Sequence, residues 1–388
     1  MVTAESFEFA TAGRILFGAG RLDEVGSLVA GFGTRVLVVT GSNTRRAAAL
    51  IDRLEEVEIY HQVFSVPGEP TTETIQEGVA AARSFSAGII VAMGGGSAID
   101  AGKAIAAVTT NPGDLFDHLE VIGRARPLVQ PPLPFVAIPT TAGTGAEVTR
   151  NAVIASPKHQ VKVSLRSPLM LPRLAIIDPL LTHDLPAAVT AATGMDALTQ
   201  LLEPFVSIKA TPLTDGFCRE GLIRAGRSLK KAVRNGGDAK ARSDMALASL
   251  LGGLALANAG LGVVHGFAGP IGGRFTAPHG TICAALLAES VRANVAALKI
   301  RAPGSPALDR YQEAARLILG KKRATVADLV PWLEELTRDL QIPGLRAFGI
   351  QTNQIEEIVR QSRQASSMKG NPIVLDDDEL AGILSKSL

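Results

Sequence analysis

Two of the chain's six histidines, His265 and His279, stand near the start and end of the run "VVHGFAGPIGGRFTAPHG", with almost no side-chain bulk between them. Imidazoles in such a setting serve as hydrogen-bonded structural groups or as metal ligands, and the two residues alone leave both roles open. Upstream, "GMDALTQLLEPF" places Asp196 and Gln200 four residues apart, which is one face of a helix. A different chemistry is written in "GIIVAMGGGSAIDAGKAIAAV". There a β-branched run leads into Gly94, Gly95, Gly96 and Ser97, followed by a helical stretch carrying Asp100 and Lys103. Three glycines clear every Cβ from a place where backbone must wrap a bulky anion, and the following helix turns its free amides and positive end toward it. That combination suits a pyrophosphate. A second loop, "IPTTAGTGAEVT", also follows an apolar run and supplies hydroxyls at Thr140, Thr141 and Thr144 for ribose, phosphate or an adenine edge. Two such loops predict an extended dinucleotide rather than a small phosphate.

The elements that must position these residues change character along the chain. Up to residue 182, short runs such as "RVLVVT" (residues 35–40), "AGIIVAM" (87–93), "PFVAIPT" (134–140) and "LAIIDP" (174–179) read as buried strands. They alternate with helical stretches; in residues 71–85, Ile75, Val79 and Ala82 share one face. Strands alternating with helices predict a mostly parallel, doubly wound sheet that binds ligands at its strand ends. From residue 183 onward the periodicity is helical, with segments at 187–205, 212–234, 239–258 and 307–319 and a loop over 300–310. The expected plan is therefore an α/β dinucleotide-binding domain over residues 1–182, a helical domain over 183–388, and a cleft between them.

Composition narrows the partners. With 46% hydrophobic and 20% charged residues the chain reads as a soluble globular protein, and 388 residues exceed what one core usually organises. The formal charge of +2, from 39 basic and 37 acidic residues, provides no long-range field for nucleic acid or an acidic membrane. Residues 246–264 are uncharged for nineteen residues, but their glycines, Ser249 and Asn258 favour a buried helix and its exit turn over a membrane span. Cys218 and Cys283 lie in no paired redox or zinc-knuckle motif and read as buried thiols of a reducing compartment. The first residues lack a secretory signal pattern, so the cytoplasm is the expected location.

Taken together, "GGGSAIDAGK", "PTTAGTGAEVT", "VKVSL" with Lys162, "IIDPLLT" with Leu181, "GMDALTQLLEP" and "HGFAGPIGGRFTAPHG" resemble, in order and spacing, the iron-containing (group III) alcohol dehydrogenase family. The likeness runs from "RILFGAG" to "GNPI" near the end. It implies hydride transfer between a small alcohol and its aldehyde or ketone, with NAD(P), usually in a homodimer. It also implies a divalent metal, Fe(II) or Zn(II), held by Asp196, His265 and His279. Where many members carry a further histidine ligand this chain has Gln200, a weaker fourth ligand or the holder of a bound water. Gly269 likewise replaces a histidine that many members place near the nicotinamide.

The resemblance assigns the cofactor to Gly41, Ser42, Arg45, Gly94, Gly95, Gly96, Ser97, Asp100, Thr140, Thr141, Thr144, Lys162 and Leu181. Where NAD-preferring members often carry an acid after the second strand run, this chain has Gly41, followed by Ser42, Arg45 and Arg46. That predicts NADP(H) used at least as well as NAD(H). Two other readings remain in view: a metal-independent enzyme resembling maleylacetate reductases, and a non-catalytic nucleotide-binding protein altered at Gln200 and Gly269.

Overall fold

The computed structural model describes residues 6–388. Its first half is built on a six-stranded, wholly parallel sheet with the order β1-β8-β5-β4-β2-β3. The strands are β1 (Ile15–Phe17), β2 (Arg35–Gly41), β3 (Tyr60–Val66), β4 (Ile89–Gly94), β5 (Phe135–Pro139) and β8 (Leu174–Ile177). Between β5 and β8 the chain makes a separate antiparallel hairpin, β6 (Asn151–Ser156) with β7 (Val161–Arg166).

All four apolar runs read from the sequence are strands. Their alternate residues serve the two faces, as a pleat requires. Leu37, Val39, Ile90, Ala92 and Ala137 pack beneath the Thr72–Ser84 and Gly96–Thr110 helices, whereas Val36, Val38, Ile89, Val91 and Val136 pack on the opposite side with Val25, Val29, Leu50 and Leu54. Ile75, Val79 and Ala82 are buried on one helix face, as their spacing predicts. The sequence reading omits β1, β3 and the hairpin. β1 is only three residues long, and β3 is an edge strand whose residues from Tyr60 to Ser65 stay at least partly exposed, so neither carries an apolar signature.

From Ala187 the fold is helical. The expected helices appear as Ala187–Val206, Pro212–Arg234, Ala239–Ala259 and Pro306–Leu319. The region read as a loop over 300–310 is much shorter: one helix runs through Arg301, and Ser305 caps the next, which starts at Pro306. Proline is tolerated in a first helical turn, where its missing N–H has no partner to lose. The helix over Ala239–Ala259 ends at Gly260, and the chain bends by 98° into the Val263–Arg274 helix. The helix His279–Arg301 is long and apolar enough to cross a membrane by length and composition, but 72% of its apolar window is buried inside the fold.

The two halves share a core. Ala175 and Ile177 of β8, with Ala142 and Val148, belong to the same buried cluster as Met195, Leu198, Phe267 and Ile282 of the helical half. Gly145, at φ 58°, lies against the Ala239–Ala259 helix so closely that a Cβ on it would sit 2.4 Å from the Gly253 Cα. The loop after β5 is thereby docked on the helices.

Candidate active site

The sheet reverses its winding between β2 and β4: β2 continues outward to β3, and the later strands β5, β8 and β1 extend the other way. Ligands of such sheets sit outside the carboxyl ends of the strands at this switch point. Gly41 ends β2 and Gly94 ends β4 there, on paired strands, with the Gly41 N–H 3.5 Å from the place a Gly94 Cβ would take. Gly95 then opens the Gly96–Thr110 helix without any side-chain cap, so the first-turn amides at Gly96 and Ser97 are left for an anion. The second loop closes on the first. The Thr140 N–H donates to the Gly94 carbonyl at 2.8 Å, and Thr141 and Thr144 lie against Gly95 and Gly96 so tightly that added Cβ atoms would meet them at 3.3 and 2.8 Å.

The remaining residues assigned to the cofactor spread along this edge. Ser42 and Arg45 are exposed beyond β2, and Leu181 packs partly buried against the sheet core. Asp100 accepts from the Val153 N–H at 3.0 Å and pairs with Lys103 at 3.2 Å, so both its oxygens hold the hairpin and helix in place. Lys103 is fully buried and also donates to the Ala146 carbonyl at 3.0 Å and the Thr149 hydroxyl at 2.8 Å. Lys162 on β7 has its side chain nearly buried, pairs with Glu69, and reaches the Val263–Arg274 helix at Gly272.

Beside these loops the second constellation assembles. Asp196 and Gln200 lie one turn apart on the Ala187–Val206 helix, both buried. His265 comes from the first turn of the Val263–Arg274 helix and His279 is the first residue of the His279–Arg301 helix. Gly280 makes the approach possible, since a Cβ there would lie 2.2 Å from the Ala192 carbonyl oxygen of the Asp196 helix. The His265 and His279 Nε2 atoms stand 3.3 and 3.6 Å from Asp196 Oδ1.

Two members of this cluster escape the sequence reading. Glu203 binds His265 Nδ1 at 2.6 Å with one oxygen and accepts the Val264 N–H at 2.7 Å with the other. It fixes the ring so that Nε2 points to Asp196, the arrangement in which a carboxylate orients a ligating imidazole. Its spacing of seven from Asp196, two turns on the same helix face, was the available signal. Cys283, four residues after His279, places Sγ 3.8 Å from His265 Nε2 and 3.7 Å from His279 Nε2.

These side chains fit a divalent cation. Asp196 Oδ1 and Gln200 Oε1 are buried without any hydrogen-bond partner, and one ligand atom from each of Asp196, His265, His279 and Cys283 lies within 4.8 Å of all the others. Burial opposes ionisation of each group, yet their mutual attraction prevails: both imidazoles are held above the usual histidine range, and Asp196 and Cys283 below their ordinary values. The cluster is contiguous with the two strand-end loops, because Asp100 lies close enough to His279 to feel its charge and Gly143 packs on Thr193 of the Asp196 helix.

Family models match almost the whole chain. Residues 12–179 match the model described as iron-containing alcohol dehydrogenase, and residues 190–388 match the C-terminal model of the Fe-containing alcohol dehydrogenase family. The chain belongs to the iron-containing alcohol dehydrogenase family. Among similar proteins of that kind, the 1,3-propanediol dehydrogenase of Klebsiella pneumoniae is 34% identical over 367 residues, 92% of either chain. The NAD-dependent methanol dehydrogenase of Bacillus methanolicus is 32% identical, covering 96% of this chain and 97% of that one. A crystal structure of 1,3-propanediol oxidoreductase superposes with a TM-score of 0.91 at 32% identity, over 99% of this chain and all of the other. Iron-containing alcohol dehydrogenases interconvert an alcohol and its carbonyl compound with a nicotinamide dinucleotide and iron or another divalent metal, and this chain has the fold and the metal-type cluster for that activity.

Proposed function

We propose that the chain interconverts a small alcohol and its aldehyde or ketone, with a nicotinamide dinucleotide on the Gly94–Ser97 and Thr140–Thr144 loops and a divalent metal on Asp196, His265 and His279. The observation that carries this reading is the buried, partnerless Asp196 Oδ1 facing two imidazole nitrogens at 3.3 and 3.6 Å, next to an uncapped helix start. A metal bound there supplies Lewis-acid polarisation of the substrate oxygen, which lowers the demand for a side-chain base. The protein's own groups do the rest. Helix amides and threonine hydroxyls hold the dinucleotide, Glu203 keeps His265 oriented, and the shared core of the two halves keeps both sites in register.

Support for the use of NADP(H) comes from the end of β2. A Cβ on Gly41 would meet nothing within 4 Å, Ser42 and Arg45 are exposed beside it, and Gly41 stands where a ribose-binding acid would. An open edge with a guanidinium accommodates a 2′-phosphate. Gly269 extends the open space to the substrate side: it lies one turn after His265 and likewise has no neighbour within 4 Å of a Cβ position. This room suits a substrate larger than methanol. The reading includes a homodimer in the cytoplasm, and the near-neutral charge supports a small-molecule partner rather than nucleic acid.

The test compares the wild-type protein with His265→Ala in three states: as isolated, after chelation, and after adding back zinc or ferrous iron. Expected are loss of turnover on chelation, recovery with metal in the wild type only, and dinucleotide binding within about threefold in both proteins. Full turnover after complete metal removal would replace this reading with that of a metal-independent reductase.

A further inference from the structure

We infer that Cys283 is the fourth protein ligand of the metal, taking the coordination role that Gln200 fills poorly. This rests on the metal reading above and adds to it a ligand, a charge and a metal preference; the substrate oxygen would then enter as a fifth ligand, an expansion that zinc allows.

The argument is one of distances. With zinc–sulfur bonds of about 2.3 Å, zinc–nitrogen bonds of about 2.0–2.1 Å and zinc–oxygen bonds of about 2.0–2.2 Å, a tetrahedral centre spaces sulfur from nitrogen by about 3.6 Å and nitrogen from oxygen by about 3.4 Å. The Cys283 Sγ lies 3.8 Å from His265 Nε2 and 3.7 Å from His279 Nε2, and Asp196 Oδ1 lies 3.3 and 3.6 Å from the same two nitrogens. Four of the six pairs are therefore already near the separations that one small cation imposes, and all four ligand atoms lie within 4.8 Å of one another. A second observation points to a missing cation: Asp196 Oδ1 is buried at the same point with no hydrogen-bond partner. A buried carboxylate oxygen facing two imidazole nitrogens without a hydrogen bond to either is completed by a cation shared among them.

Backbone geometry explains how the thiol arrives there. His279 begins the His279–Arg301 helix and Cys283 follows by four residues, so both side chains project from one face toward Asp196. Gln200 lies one turn from Asp196 on the same helix, but an amide oxygen would bring no charge to the ion. Asp196 and a Cys283 thiolate together neutralise a divalent cation. On binding, the S–H bond breaks, the sulfur–metal bond forms and the proton leaves to solvent. A set of two imidazoles, one carboxylate and one thiolate favours zinc over ferrous iron, since thiolate is the softer donor.

Cobalt(II) loaded into metal-free protein tests this without reference to activity, because a cobalt-bound thiolate gives an intense charge-transfer absorption in the near ultraviolet. Expected are this band in the wild type, in Gln200→Ala and in Cys218→Ser, and its loss in Cys283→Ser while the weaker visible bands of bound cobalt persist. A parallel pH-stat measurement should show one more proton released per zinc bound by the wild type than by Cys283→Ser. Wild-type protein that binds cobalt without the charge-transfer band overturns the role of Cys283 and leaves the metal site standing. Wild-type protein that binds no cobalt overturns the metal site itself and Cys283 with it.

Discussion

His265 has one ring nitrogen on Glu203 at 2.6 Å and the other 3.3 Å from Asp196 Oδ1, so Glu203 governs which nitrogen is offered to the metal. Glu203→Gln keeps the size but weakens both the tautomer choice and the basicity of the ring. Outer partners of this kind typically influence metal affinity by about 10–100-fold, and a loss in that range is expected here. Equilibrium dialysis against a mild chelator, with zinc counted per protein chain, reads it; an unchanged affinity would remove Glu203 from the site. At the other site, Gly41→Asp introduces a carboxylate into the open space at the end of β2. It should accept a ribose 2′-hydroxyl and repel a 2′-phosphate, shifting the ratio of kcat/KM toward NAD(H) by about tenfold or more. The ratio measured with both cofactors checks it. No shift would place the adenosine ribose elsewhere.

Among the elements, the loop after β5 has the largest reach. Its Thr140–Thr144 stretch closes on the glycine loop, and its Gly145 meets Gly253 of the Ala239–Ala259 helix backbone to backbone. A Cβ on Gly253 would lie 2.5 Å from the Gly145 carbonyl oxygen, a contact that only a shift of loop or helix can relieve. Gly253→Val is therefore expected to destabilise the protein by about 1–3 kcal/mol, the usual cost of overpacking. It should also weaken dinucleotide binding severalfold, because the loop carrying Thr141 and Thr144 moves. Urea denaturation and cofactor fluorescence titration measure the two effects separately. A stability loss with cofactor affinity unchanged would show that the docking of this loop does not position the dinucleotide site.

Over the whole molecule, the buried seam between the halves carries an unusual acid. Glu147 lies just beyond the docked loop, is almost fully buried, and burial pushes its carboxyl from the ordinary 4.5 up to about 7 against the pull of its backbone hydrogen bond and Lys103. In the unfolded chain it ionises as pH rises through 4.5, while the folded protein keeps the proton until about 7. Over that window the unfolded state binds fewer protons, so stability falls with rising pH. The contribution is complete below the unfolded pKa and lost as pH passes the folded one, amounting to about 3 kcal/mol. Glu147→Gln should flatten the decline between pH 4.5 and 7. Denaturant midpoints of both proteins across this range test it; parallel curves would mean that Glu147 ionises normally in the fold.

The sequence by itself determined the alternation of strands and helices and the two glycine- and threonine-rich loops at strand ends, because these are carried by local propensity, periodicity and contiguous motifs; Asp196, His265 and His279 stood together as a candidate ligand set only through the family resemblance. Short β-branched runs such as Val36–Val39 and Ile89–Val91, bounded by turn residues, favour strands, and three glycines between strand and helix free the backbone to approach a ligand. β3 needed its neighbours to be seen, since this edge strand keeps Tyr60 to Ser65 partly exposed; the β6–β7 hairpin buries Ala152, Ile154, Val163 and Leu165 in alternation, but its short runs are interrupted by polar residues on the outer face. Only the tertiary structure decided what surrounds the histidines. The Glu203 carboxylate and the Cys283 thiol stand on different helices, 80 residues apart; Gly262 lets the chain before His265 come close to Glu203, and Gly280 lets the Cys283 helix pack on the Asp196 helix without an intervening Cβ. Coordination is set by distances in space of a few ångströms, and no local preference in the chain encodes them.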